Sequence, residues 1–467
     1  MKSGDENNFF GTKLFVMKSA LVLFYLGLFI IPTGCAATAV KASGWEQVPK
    51  ILSRIKSPQF PEKDFNITDF GAVGDGKTDC TEAFKKAITA ANEAGGGRVV
   101  VPAATFFTGP IHLKSNVNLY VSEGAEIKFS TEPNDYMPVV FTRFEGVEVM
   151  NLSPLIYAYE QENIAITGKG TLNGQGSREH WWRSIRSQGA NIRASREMGQ
   201  AGVPVKERVF GIGKELRPNM VQPYKCKNIL IEGVTFRNSP MWHIHPVLSQ
   251  NITVRNVTVI GHGPNNDGCN PESCKDVLIE GCYFDTGDDC IAIKSGRNND
   301  GRRVNVPSEN IIVRNCQMKD GNGGVVIGSE ITGGVRNVFA ENCKMDSPHL
   351  GRVLRIKTNS VRGGFVENVY MRNVTVGQVA EAVLKINFFY GEGDSGTFTP
   401  IVRNINMENV TCNKSRYGLH INGYERSPIT DVTLKNCTFD NIERGNRIDG
   451  IKNLIMENVK INGEIQK

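Results

Sequence analysis

Over the C-terminal half of the chain, apolar residues fall at alternate positions in short runs, and the runs recur. They begin at Asn228 (NILIEGVTF), Asn251 (NITVRNVTV), Asp276 (DVLIEGCYF), Asn310 (NIIVRNCQM), Asn337 (NVFAENCKM), Asn368 (NVYMRNVTV), Asn404 (NINMENVTC), Asp431 (DVTLKNCTF) and Asn453 (NLIMENVKI). A period of two marks a strand with one buried face. The starts lie 22 to 36 residues apart, the span of one coil with loops of varying length. A single coil cannot bury its inner face, so the pattern predicts a stacked β-solenoid whose core forms between coils. An earlier run at Asn163 (NIAITGKGTLNG) reads as the same unit.

Each run continues into Asn or Gly and then Val or Cys. Val234, Val257, Cys282, Cys316, Cys343, Val374, Val410, Cys437 and Val459 share one repeat position. Cys exchanging with Val marks a small buried apolar site. These thiols therefore read as core rather than as metal ligands or disulfide partners, and no CxxC pair supports zinc. The residues just before them (Asn256, Asn315, Asn342, Asn373, Asn409, Asn436, Asn458) predict a turn in the left-handed region, which Asn tolerates while hydrogen-bonding its neighbours.

Upstream, the period changes. In FNITDFGAVGDGKTDCTEAFKKAITAANEAGGGRVVVPAATFFTGPI, starting at Phe65, residues Ala83, Phe84, Ala87, Ile88 and Ala91 form one helical stripe. Asp79 and Glu82 fit a capping box. Gly95-Gly96-Gly97 ends the helix, and Val99 to Val101 begins a strand. The glycines follow the helix instead of opening it, so they read as a stop and not as a phosphate loop. A solenoid needs its ends covered, and this helix is the predicted cap. Further upstream, Leu21 to Ile31 is an apolar run preceded by Lys13 and Lys18, the pattern of a signal segment, and Met17 offers a second start. Pro32-Thr33-Gly34-Cys35 resembles a bacterial lipobox apart from Pro32, and Ala37-Thr38-Ala39 offers ordinary cleavage. The expected organisation is a targeting segment and the start of a linker over 1–39, linker over 40–64, and one catalytic domain over 65–467. The expected location is the periplasm or the outer membrane of a bacterium, with a lipid anchor on Cys35 in the second case.

The net charge of +6 suits an acidic substrate without demanding one, and no nucleic-acid motif is present. The candidate chemistry lies in two motifs about one coil apart, Asn265-Asn266-Asp267-Gly268 and Gly287-Asp288-Asp289-Cys290. Neighbouring coils stack at about 4.8 Å, so the three carboxylates would share one surface. Crowded carboxylates do not all ionise easily, so one is kept protonated as an acid. That pairing suits a glycosidic bond. Arg355 and Lys357, two apart on a strand, share a face and could clamp a uronate carboxylate.

From about Phe65 to the C-terminus the chain resembles glycoside hydrolase family 28, the polygalacturonases and their relatives. The resemblance rests on ITDFGAVGDGKTD at the entry, on NNDG for the family's Asn-Thr-Asp (Asn266 replacing Thr), on GDDC, and on Arg355-Ile356-Lys357. The stretch YFDTGDDCIAIKSGRNNDGRR is similar to the bacterial exo-acting branch. It implies an all-β, right-handed parallel β-helix that hydrolyses galacturonic-acid-containing pectic chains, exo-acting and with inversion, using no cofactor or metal. Asp288 would be the general acid, and Asp267 and Asp289 would orient and deprotonate water. Arg355, Lys357, Asn322, Asn265 and Tyr390 (in NFFYGEGD) would bind substrate.

One departure matters. Gly321-Asn322-Gly323 stands where the family carries Gly-His-Gly, and Asn hydrogen-bonds but does not titrate. This keeps open a rhamnogalacturonan-type hydrolase of the same family and a non-catalytic pectin-binding helix. A calcium-dependent lyase on the same fold is disfavoured, because NNDG, GDDC and RIK are the hydrolase set. His262, in a local Gly-His-Gly, is a candidate substitute for the missing His. The Arg-rich stretch from Gly176 to Pro218 lacks the repeat. It reads either as a solvated loop or as a wall at one end of the cleft, with Trp181 or Trp182 stacked on sugar rings.

Overall fold

The protein, seen in a computed structural model, is described over residues 44–182 and 185–466. The expected targeting segment, with Leu21 to Ile31 and Cys35, lies outside the described residues. The remainder forms a right-handed parallel β-helix. Every run singled out by alternation is a strand, from Glu162–Gly168 through Lys227–Glu232, Gln250–Arg255, Lys275–Glu280, Ser308–Arg314 and Val335–Glu341 to Phe365–Val376, Ile401–Cys412, Ile429–Lys435 and Ile451–Glu457. Each pairs in parallel with the next.

The register explains the pattern. Ile229, Ile252, Val277, Ile311, Val338, Val369, Ile405 and Val432 stand over one another as a buried inward column. Burying each such side chain stabilises by about 1.5–3 kcal/mol. The shared Val/Cys position is buried at every coil from Val234 to Val459. The Asn before it takes a positive φ, 53° at Asn256 and 52° at Asn458. A second turn residue, Asn at the start of every run except those at Asp276 and Asp431, builds a ladder of side-chain hydrogen bonds. Asn228 donates to Asn163, Asn251 to Asn228, Asn337 to Asn310, Asn368 to Asn337 and Asn404 to Asn368, at 2.6–3.0 Å.

The expected cap is present as α2 (Thr81–Glu93), with the predicted stripe of Ala83, Phe84, Ala87, Ile88 and Ala91 buried. The capping box is not formed. Asp79 accepts from Thr81 N at 2.9 Å, but Glu82 turns outward to Lys85 at 3.2 Å. The strand register of Asp75–Asp79 continues so close to the helix that the cap acts one residue early.

The stretch read as linker also differs. Residues Val48–Arg54 form a helix, α1, docked on the outside of the solenoid. Val48 and Ile51 pack on Leu278, Ile312 and Phe339. Trp45 lies 5.5 Å from Phe339 and beneath the Arg372 guanidinium at 3.9 Å. The docking point is a break in the Asn ladder. Asp276 stands where an Asn would donate, and it accepts instead from Asn310 at 2.9 Å and from Arg54 Nε at 3.0 Å. The carbonyl of Asn251, left without its ladder donor, accepts from Lys56 N at 2.8 Å.

A second sheet forms the functional face. Its strands are Ile291–Ile293, Val325–Gly328, Arg352–Lys357, Ala382–Asn387, Tyr417–Asn422 and Arg447–Asp449. Bridges from Val221 to Ile244, Cys269 and Ile291 carry the same face toward the N-terminus. The Arg-rich interruption folds into α3 (Ile185–Ala201) and packs with the antiparallel hairpin Val140–Phe144/Val147–Asn151. Phe144, Val147, Val149, Phe210, Leu216, Met241 and Trp242 form a small core of their own there. It is therefore a packed wall and not a solvated loop.

Candidate active site

The stacking of coils assembles the site. Gly268 N donates to Asp289 O at 3.0 Å, Asn322 N to Asp288 O at 3.0 Å, and Cys290 N to Gly323 O at 2.8 Å. Asp267, the Asp288-Asp289 pair and Asn322 thus lie on three successive coils at one edge of the second sheet. Val326 pairs with Arg355 and Gly328 with Lys357, which brings both cations in from the next coil. Asp267, Asp288, Asp289, Arg355, Lys357, Asn322, Asn265 and Tyr390 all line one cleft of about 780 Å³.

The three carboxylates are held differently. Asp289 is 1 % exposed, and Lys357 Nζ donates to its Oδ2 at 2.6 Å. Arg355 Nη1 lies 3.6 Å from its Oδ1. Burial alone would raise this carboxyl, but Lys357, then Arg355 and Lys294, outweigh it and hold Asp289 below the ordinary carboxylate range. Asp288 is pushed the other way, first by burial and then by the Asp289 charge. Lys357 and the Asn322 amide, 2.9 Å from Asp288 Oδ1, only partly oppose this. Asp267 is driven well above the ordinary value by burial and then by Asp288. The site therefore combines a carboxylate held ionised with carboxyls inclined to keep a proton, and the three titrate together.

Several contributors escaped sequence reading. Lys294 is buried, 3.7 Å from Asp267 Oδ2, 3.2 Å from Glu330 and 4.5 Å above the Trp242 ring. Burial would lower its ammonium, but Glu330 and Asp267 outweigh that and raise it, while the same pairing holds Glu330 below its usual range. His243 is buried and pushed down to about 4 by burial, so it is neutral, and its Nδ1–H donates to the Asp267 backbone carbonyl at 2.9 Å. It fixes the loop that carries Asp267. Asn270 donates to Asp267 Oδ2 at 2.8 Å. The apolar strand pattern between GDDC and Lys294 could have flagged Lys294, and no local pattern marks Glu330, His243 or Asn270.

Other expectations resolve individually. Tyr390 lies beneath both cations, 5.5 Å from Arg355 and 5.3 Å from Lys357, an aromatic floor rather than buried packing. Asn265 reaches the cleft, but its Oδ1 accepts from Arg217 at 2.8 Å, so part of its capacity is spent holding the loop. His262 does not face the cleft. It lies just past the strand Thr258–Gly261 and pairs with Asp285 at 3.0 Å. The two tryptophans are structural too. Trp181 is buried 5.5 Å from Tyr136, and Trp182 donates to Ser239 O at 3.0 Å. The wall contributes Arg196 and Glu145 instead, joined at 3.2 Å and lining the cleft with Trp242.

The chain is similar to known proteins over most of its length. The family model for glycosyl hydrolases family 28 matches residues 207–461, and one for rhamnogalacturonase A/epimerase, pectate lyase-like, matches 65–130. A crystal structure of a hyperthermoactive exopolygalacturonase from Thermotoga maritima is 45% identical and superposes with a TM-score of 0.88, covering 90% of this chain and 97% of that one. A probable polygalacturonase from Vitis vinifera is 29% identical over 80% of this chain and 73% of its own. An exo-poly-alpha-D-galacturonosidase from Dickeya chrysanthemi is 26% identical over 85% of this chain and 74% of its own.

Proposed function

The chain belongs to glycosyl hydrolases family 28, and from that premise we propose that it hydrolyses the α-glycosidic bonds of galacturonic-acid-containing pectic chains, acting from a chain end. One observation carries the reading. Three carboxylates with opposed protonation tendencies face two cations across one cleft. Asp288, inclined to hold its proton and only partly buried, donates it to the departing glycosidic oxygen. Asp289 is ionised. Its Oδ2 is engaged by Lys357, and its Oδ1, buried 3.6 Å from Arg355 Nη1, accepts no hydrogen bond from the described residues, which leaves it as the acceptor for the proton of a water brought in with the substrate. Asp267, the third carboxylate, orients that water. Arg355 and Lys357 bind the uronate carboxylate over Tyr390. Inversion at the anomeric carbon is the stereochemistry that the family resemblance implies.

Chain-end action is supported by the wall. The α3 insertion packs on Trp242, one coil before Asp267, and bounds the cleft on that side. Unmodified polygalacturonate, its oligomers and rhamnogalacturonan fragments, assayed with products resolved by size and anomer, test the reading. Monomer from the first time points on galacturonides is expected. Preference for rhamnogalacturonan fragments would move the substrate to that class, and a product absorbing in the ultraviolet would identify a lyase. We also propose export through the segment before residue 40, on the strength of the Leu21 to Ile31 run. Mass spectrometry of the mature N-terminus distinguishes a lipid on Cys35 from cleavage after Ala39.

A further inference from the structure

Beyond the cleft, the second sheet continues for three more coils, and its outward register is basic. Val326 pairs with Arg355, Arg355 with Lys385, Lys385 with His420, and His420 with Arg447. These residues form one column leading away from the aspartates. Arg352 stands beside it at the cleft mouth. A single carboxylate, Glu381, serves the group: it pairs with Arg352 and Lys385, and lies 3.2 Å from His420 Nδ1. Arg447 makes no ion pair among the described residues and is exposed. Burial, then Lys385 and Arg447, push His420 down to about 4, so it is neutral, while Arg352, Arg447 and, below about pH 8, Lys385 face one anion as cations. The Tyr417 ring lies 4.9 Å from His420 and offers an apolar plate beside the charges.

We propose that Arg352, Lys385, His420 and Arg447 form a binding track for the part of an acidic polysaccharide that emerges from the open side of the cleft. The inference rests on the galacturonan reading above and extends it to substrate length. A parallel solenoid repeats its side chains every ~4.8 Å, so the column beyond Arg355 runs about 14 Å. Three of the four coils in the column carry a cation, Arg355, Lys385 and Arg447, with the neutral His420 between the last two, and this suits a polymer with one carboxylate per sugar ring. The opposite side is bounded by the wall, so a long chain has only this direction in which to lie. Mixed pairing through Glu381 keeps the long side chains ordered while leaving a net positive surface, which lowers the entropy lost when a polyanion binds.

The test compares oligogalacturonides of two to six units. In the wild type, kcat/KM rises with length until the track is filled, mainly through KM. In the Lys385→Gln/Arg447→Gln double variant, the ratio of kcat/KM on the hexamer to that on the dimer falls about tenfold, the order expected from a few ion pairs of 0.2–1 kcal/mol each. The length preference also weakens in salt. Unchanged ratios in a folded double variant would overturn the inference. A second readout does not need turnover: calorimetric binding of hexagalacturonate to Asp288→Asn, with and without the two track substitutions. Binding weakened about tenfold by those substitutions supports the track, and equal binding rejects it. A wild type that binds hexagalacturonate through the track yet cleaves no galacturonide would reject the hydrolase reading alone.

Discussion

At the residue scale, the proposed mechanism depends on neighbouring carboxylates being held in different protonation states. Asp288→Asn removes the proposed proton donor and is expected to lower turnover by about 100- to 10,000-fold, with binding largely retained. Stopped or coupled reducing-end assays beside calorimetry check both parts. Lys357→Met removes the strongest support of the Asp289 carboxylate, so the Asp289 pKa rises. Asp289 acts ionised, hence the acidic limb of the kcat profile moves to higher pH. Asn322→Ala acts on the other limb. The Asn322 amide stabilises the charged form of Asp288. Its loss raises the Asp288 pKa, and because Asp288 acts protonated, the alkaline limb moves to higher pH. A profile whose limbs stay in place in either variant contradicts the assigned role of that aspartate. The aspartates, Arg355, Lys357, Asn322, Asn265 and Tyr390 were legible because they sit in short motifs. Lys294 and His243 were not, since each meets Asp267 only through coil stacking, and a buried lysine in IAIKSG looks locally like any strand end.

At the element scale, the strands were legible and the helix before them was not. Residues 44–54 contain Pro49 and span too few turns to show a helical stripe. The signal lay elsewhere. The outward column of the main sheet runs Leu230, Thr253, Leu278, Ile312, Phe339, Tyr370, Asn406, Thr433. Its middle is apolar where an exposed strand would be polar, and that is where α1 lands. Val48→Asp places a charge against Ile312 and Phe339 and is expected to release the helix. Limited proteolysis within residues 44–56 then accelerates, while the solenoid stays intact by circular dichroism. Inward positions answer differently. Ile311→Ala is expected to cost about 2–5 kcal/mol in denaturant unfolding, whereas Thr433→Ala on the outer face stays within about 0.5 kcal/mol. Equal effects would mean that the inner and outer columns are misassigned.

At the scale of the whole molecule, the solenoid turns sequence spacing into a surface. One strand position repeated along the chain becomes a column, and the second sheet uses such columns twice: for the aspartate-cation cleft and for the basic face beyond it. Its fold class could be read from alternation alone, because each coil's burial pattern is local. The wall was one of two readings of Gly176 to Pro218, and the sequence could not choose between them, because α3 and the hairpin at Val140–Asn151 meet only after the coils have stacked. The central claim is that this cleft hydrolyses galacturonans with Asp288 as the proton donor. The most direct measurement follows reducing ends and product sizes from polygalacturonate for the wild type and Asp288→Asn side by side. Monomer released from the start by the wild type, and a loss of about 100-fold or more in the variant, is the predicted result. No release by the wild type, an ultraviolet-absorbing product, or near-normal turnover by the variant would contradict it.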